Sequence, residues 1–207
     1  MNITKALFNK PRMGLRIFMV LSGQLIMGLG VAILKLAALG TDPYSSMMLA
    51  LTALTPLDYG TFCALGNCAF FLIEILWGRK YIGLGTIANW FLLGYAVVLW
   101  SFILGHFIPV APASLPLRIL VAVVGVVILA FSLSLYQSAD IGSSPYDSLP
   151  LILRDHLSVP FFAARIGLDA CAMLVAFLAH GVLGLTTVFV VFGLGSVAGF
   201  FNRYFKL

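Results

Sequence analysis

The amino-acid sequence predicts an all-α membrane protein whose six transmembrane helices form two inverted three-helix repeats. Three observations carry that expectation. Hydrophobic residues make up 62% of the 207 positions and charged residues 9%, with a mean hydropathy of +1.10, far outside the soluble range. The stretch GTDPYSS at 40–46 returns as GSSPYDS at 142–148, an offset of 102 that also relates Leu15-Arg16-Ile17 to Leu117-Arg118-Ile119 and Gly23 to Gly125, which marks an internal duplication. The lysines and arginines gather in alternate connections between the apolar runs. The whole chain, 1–207, reads as one membrane domain, with repeat 1 over about 14–105 and repeat 2 over about 116–204.

The first apolar run, 15–39, is too long for the h-region of a cleavable signal, carries Lys35 near its end and has no clear small-residue cleavage site, so it reads as a span. A segment at 44–54 follows that is too short to cross. Runs at 59–77 and 82–105 complete the first repeat, each long enough for the hydrocarbon core. The second repeat copies the order: a span at 117–138, a short segment at 148–157, then spans at 161–180 and 183–204.

The repeated turn explains the break between long and short helices. Gly40 and Gly142 suit a helix end, and Pro43 and Pro145 push Asp42 and Ser144 towards extended backbone. Ser45, Ser46, Asp147 and Ser148 then offer side chains to cap the next helix, and Tyr44 and Tyr146 sit between stop and restart. Two readings stay open: a polar corner that contacts a solute, or an elbow that both copies need in order to fold.

Charge sets the expected orientation. Lys5, Lys10, Arg12 and Arg16 precede the first span, Arg79 and Lys80 separate the second and third, Arg154 lies between the fourth and fifth, and Arg203 and Lys206 close the chain. The connections at 41–58, 106–116 and around Gly181 have neither lysine nor arginine, so the positive-inside rule predicts both termini in the cytoplasm. Lys35 and Arg118, near the outer edge, are expected to snorkel. An odd number of spans per repeat then inverts the second copy relative to the first. The basic residues are dispersed, which argues against a nucleic-acid partner.

The G-x-x-P-Y turn after the first span, its return in the second half, and Gly83-Leu84-Gly85-Thr86 echoed by Gly184-Leu185-Thr186-Thr187 resemble the YczE/YyaS/YitT group of bacterial membrane proteins. The resemblance covers about 14–203. It implies a bacterial cytoplasmic-membrane location and a duplicated helical fold, and brings no substrate with it.

Chemistry inside the spans narrows the candidates. Asn67 and Asp169 are 102 positions apart in the middle of matched spans, and Asp169 is the costliest residue of the chain to bury. Arg165, one turn earlier, is placed to neutralise it, so a structural ion pair stands beside a role in ion or proton coupling. The expected substrate-binding or coupling residues are Asp169, Asn67, Arg165, Tyr44, Tyr146, Ser46 and Ser148. Gln24 and Gln137 suit hydrogen bonds between helices, Asn89 lies on the third span, Glu74 is expected to pair with Arg79 or Lys80, and Gly195-x-x-x-Gly199 suggests close helix packing. Cys63, Cys68 and Cys171 fit no metal or redox spacing and read as buried, inert thiols. No P-loop, H-E-x-x-H or G-x-S-x-G motif occurs, and no cofactor, metal site or enzymatic activity is expected.

These readings favour a secondary transporter or channel-like carrier for a small solute or ion. The alternative is a non-transporting membrane partner, such as a substrate-capture subunit or scaffold. Expected partners are the lipid bilayer and an unidentified small solute or ion, and a homo-oligomer or a larger membrane complex fits the sequence equally well.

Overall fold

Apolar runs bounded by proline, glycine and charge become helices throughout the computed structural model, which describes residues 10–108 and 114–205. In chain order they are α1 (Met13–Ala37), α2 (Pro43–Thr52), α3 (Tyr59–Trp77), a 3-10 turn (Arg79–Tyr81), α4 (Leu84–Phe107), α5 (Leu115–Ser138), α6 (Pro145–Leu157), α7 (Phe161–Leu178) and α8 (Leu185–Phe201). Among the described residues there is no strand. Five helices, α1, α3, α4, α5 and α7, are long and apolar enough to cross a membrane, and α8 is apolar but only 17 residues long. Phe18, Leu72, Phe102, Phe177 and Phe192 all face outward; on a surface this apolar, the contact is lipid. Lys5 and Lys206 lie outside the described residues, as do residues 109–113 of the connection at 106–116.

At the centre α1 and α5 run antiparallel. Small residues let them approach: a side-chain carbon on Gly30 would touch the Leu129 backbone at 3.0 Å, and one on Gly125 would meet Leu34 at 2.6 Å. The two ends are tied reciprocally. Arg16, near the start of α1, donates from Nη1 to the Ala139 carbonyl just past α5 at 2.6 Å. Arg118, near the start of α5, donates from Nε to the Ala37 carbonyl at the end of α1 at 2.8 Å, and from Nη2 to Ala38. Each guanidinium thus satisfies carbonyls that the other helix leaves free. Arg118 therefore does more than snorkel.

Around this pair, α4 packs on α1 and α8 on α5, whereas the short helices cross over: α2 lies against α7 and α6 against α3. The turns lock the crossing. Ala38 (φ 51°) and Asp140 (φ 48°) end the long helices in the left-handed region, and Gly40 (φ 93°) and Gly142 (φ 120°) follow. The helices therefore stop before the glycines, whose role is to allow close approach. A side chain on Gly142 would strike the Gly83 backbone at 2.7 Å, and one on Gly40 would strike the Gly184 amide at 2.8 Å. Each turn is also gripped by the opposite half: the Gly85 amide donates to the Ile141 carbonyl at 2.8 Å, and the Thr186 amide to Leu39 at 3.2 Å.

Several sequence expectations need correction. The short helices start at the prolines, so the caps are Asp42 and Ser144, which accept from the Ser45 amide at 2.9 Å and the Asp147 amide at 3.0 Å. A proline at the first helical position has no N–H to satisfy, which favours a cap immediately before it. Cys68 and Cys171 are exposed, and only Cys63 is buried. Glu74 is buried with neither carboxylate oxygen bonded, because Arg79 donates to the Ile75 carbonyl at 2.8 Å and Lys80 pairs with Asp155 at 2.6 Å. Gly195 and Gly199 have open space where a side chain would stand.

Candidate functional site

The N-termini of α2 and α6 bring the two copies of the turn together. The Tyr44 and Tyr146 rings lie 5.0 Å apart at 50°, and Phe70 meets Tyr146 edge-on at 5.7 Å. Their hydroxyls reach matched partners. Tyr44 donates to Asn67 Oδ1 at 2.9 Å, and Tyr146 donates to Asp169 Oδ1 at 2.8 Å.

Arg165 completes the second copy. Its Nε donates to Asp169 Oδ2 at 3.0 Å and its Nη1 to Asp147 Oδ1 at 2.6 Å, with the guanidinium 5.5 Å from the centre of the Tyr146 ring. Ser144 Oγ donates to the other Asp147 oxygen at 2.8 Å. One cation thus bridges two carboxylates, each of which has a further hydrogen bond, as a buried charge requires.

Five of the expected residues, Tyr44, Asn67, Tyr146, Arg165 and Asp169, meet here. Ser46 and Ser148 do not join them. Ser46 is buried against Thr41, with the hydroxyl oxygens 2.8 Å apart, and Ser148 donates to the Pro145 carbonyl of its own helix at 2.9 Å. The i, i+4 pair of Arg165 with Asp169 forms, and Asn89 donates to Gln24 at 3.1 Å.

Beside this cluster is a cavity of about 60 Å³. Its lining comes in pairs 102 positions apart: Met27 with Leu129, Val31 with Leu133, Asp42 with Ser144, Tyr44 with Tyr146, and Ser45 with Asp147, joined by Asn89, Leu93, Leu194 and Arg165. Asp169 and Asn67 lie behind it. Sequence reasoning missed Asp42 and Ser144 as lining residues because a residue before proline reads locally as a turn former. The signal available was that both precede the repeated proline and tyrosine.

Two larger recesses approach from opposite ends. One, of about 560 Å³, opens at the basic end between Lys10, Arg79 and Lys80, and shares Ser144, Asp147 and Arg165 with the central cavity. The other, of about 480 Å³, is lined by Lys35, Thr41, Ser46, Tyr59 and His180 and shares no lining residue with it. At the basic rim Asp155 pairs with Lys80 at 2.6 Å and Arg154 at 3.1 Å and accepts from the Tyr81 hydroxyl at 2.5 Å. Lys80, then the Tyr81 hydroxyl and Arg154, hold its carboxyl well below the usual carboxylate range. Among the described residues no three His, Cys, Asp or Glu side chains converge as for a metal ion.

Comparison with known proteins places the geometry in context. A family of unknown function, DUF6198, matches residues 14–203. An uncharacterized protein of Haemophilus influenzae is 29% identical over 180 residues, covering 85% of this chain and 78% of its own. Two Bacillus subtilis proteins are also similar: uncharacterized protein YyaS, 27% identical over 82% of this chain and 83% of its own, and uncharacterized membrane protein YczE, 24% identical over 86% and 81%. The last two bear the names to which the repeated turn pointed. No solved structure matches.

Proposed function

The chain belongs to the DUF6198 family, and from that premise we propose that it is a secondary carrier for a small solute or ion in the bacterial cytoplasmic membrane. Its two three-helix halves are inverted repeats, and both termini are cytoplasmic. The observation that carries the reading is the central cavity: it is lined by matched residues from both halves, yet only one of the two end recesses shares its walls. Inverted halves have two arrangements of nearly equal packing, and exchanging them moves access from one end to the other. The basic end, with Lys10, Arg79, Lys80 and Arg203, is the cytoplasmic one by the positive-inside rule, so the conformation seen is open inward. The reading includes no enzymatic step: Arg165, Asp147 and Asp169 bind one another.

Single cysteines at Ser45 and Ser144, in a background free of the three native cysteines, test this with an impermeant thiol reagent applied to either face of oriented vesicles. A carrier exposes Ser144→Cys from the cytoplasmic face and, in the population that has switched, Ser45→Cys from the other. Labelling of both from one face alone overturns the reading. It would favour a non-transporting membrane partner, a role that the outward-facing Gly195 and Gly199 on α8 suit, since another helix can approach there closely.

A further inference from the structure

Of the three carboxylates around the centre, Arg165 takes two. Asp147 and Asp169 each hold one of its nitrogens, at 2.6 and 3.0 Å. Asp42 reaches the same cavity from the first half, gives Oδ2 to the Ser45 amide at 2.9 Å, and leaves Oδ1 buried with no hydrogen-bond partner among the described residues. Capping does not explain the acid. Its counterpart Ser144 caps α6 without charge, and Ser, Asn and Asp cap comparably.

Three carboxylates against one guanidinium leave two negative charges. The N-termini of α2 and α6, which converge on the cavity, each offset about half a charge. About one negative charge is left beside walls that include Met27, Leu93 and Leu129, where an unpaired ion is expensive. We infer that the cavity is a binding site for one small monovalent cation of the alkali or ammonium kind, anchored on Asp42 Oδ1 between the Tyr44 and Tyr146 rings. The lining offers oxygen donors and aromatic rings without imidazole or thiolate, a set that suits a hard or ammonium-type cation. A divalent ion would demand more free carboxylates. The volume of about 60 Å³ takes a few water-sized groups at most. Only the ion's role in coupling rests on the carrier reading; binding does not.

The test is thermal unfolding of the purified full-length chain in detergent at constant ionic strength, with N-methylglucamine chloride replaced stepwise by sodium, potassium, ammonium or methylammonium chloride. At least one cation should raise Tm saturably, by roughly 5–10 °C at a hundredfold excess over Kd, and the responding salts separate an alkali ion from an ammonium. Asp42→Asn, which keeps the cap, should abolish the rise, as should a second variant, Asp42→Ser, which copies the capping residue of the other half. Asp155→Asn, at the rim, should leave it intact. A rise that survives in both Asp42 variants, no cation-specific rise in the unmodified chain, or a rise on acidification alone that assigns a proton to Oδ1 would each overturn the site. Since sided labelling of Ser45→Cys and Ser144→Cys needs no cation, failure of the carrier reading is seen separately.

Discussion

Tyr44 and Tyr146 occupy matched positions and use their hydroxyls on unlike partners. Tyr44 donates to the neutral amide of Asn67, whereas Tyr146 donates to the Asp169 carboxylate. Hydrogen bonds to charged groups contribute about 1.5–3 kcal/mol and neutral ones about 1, so Tyr146→Phe should destabilise more than Tyr44→Phe, by roughly 1 kcal/mol. Equilibrium unfolding of the two variants measures the difference; equal losses would mean that the carboxylate does not need the phenol. Had both hydroxyls faced interfacial water, neither change would have been felt. The pair of Asp169 with Arg165 was legible in the sequence because helical periodicity alone places residues i and i+4 together, and Asn67 followed from the repeat offset. The bridge from Arg165 to Asp147 was not, since it joins α7 to α6 across a loop whose path no local pattern fixes. Asp42 was hidden for a different reason: its local role before proline masked a carboxylate with one oxygen left unbonded.

At the level of elements, each turn is completed by the other half. Gly83 and Gly184 come so close to the Ile141 and Leu39 carbonyls that a side chain cannot enter, and the Thr86 hydroxyl accepts from the Gly83 amide at 3.0 Å to hold the start of α4. Gly142→Ala would combine a φ of 120° with a backbone clash against Gly83, and should cost about 2 kcal/mol or more. A thermal unfolding midpoint within experimental error of the unmodified chain would show that the turn is not locked. Five of the six expected spans were readable within a few residues because length and apolarity are set by the bilayer, whereas the sixth, expected at 183–204, forms a helix of only 17 residues. The reason both halves write Gly-Leu-x-Thr was not readable. That motif grips a turn about 56 residues away in one case and 147 in the other, and no periodicity within a helix reports such a contact. Gly195 and Gly199 misled in the opposite direction: the small-xxx-small pattern is there, but among the described residues no helix fills the groove.

Over the whole molecule, the carrier proposed here can prefer one arrangement of its two matched halves only through residues whose counterparts differ. The rim cluster is such a set: the place of Lys80 falls at Gly181 or Val182 in the other half, and those of Arg154 and Asp155 at Thr52 and Ala53, so the Lys80–Asp155 ion pair and the Tyr81 hydrogen bonds that tie α6 to the 3-10 turn beside the open recess have no equivalent there. Under the carrier reading, exchange of the halves moves these groups relative to one another, and the cluster is then expected to favour the arrangement seen. The contribution requires an ionised Asp155. Because its folded carboxyl is held below the usual range, chiefly by Lys80, the bias is fully present above the ordinary aspartate pKa of about 4 and fades only as pH falls further. At neutral pH, Asp155→Asn should remove it. Exposed pairs are weak, so the expected change is roughly two- to five-fold: Ser143→Cys should label more slowly from the basic end and Thr41→Cys faster from the opposite end, with high salt acting in the same direction. Rates that do not move in Asp155→Asn would mean that the cluster fastens α6 in both arrangements, and that the preference for the open basic end comes instead from the unmatched charges at the centre, Asp42, Asp147 and Arg165.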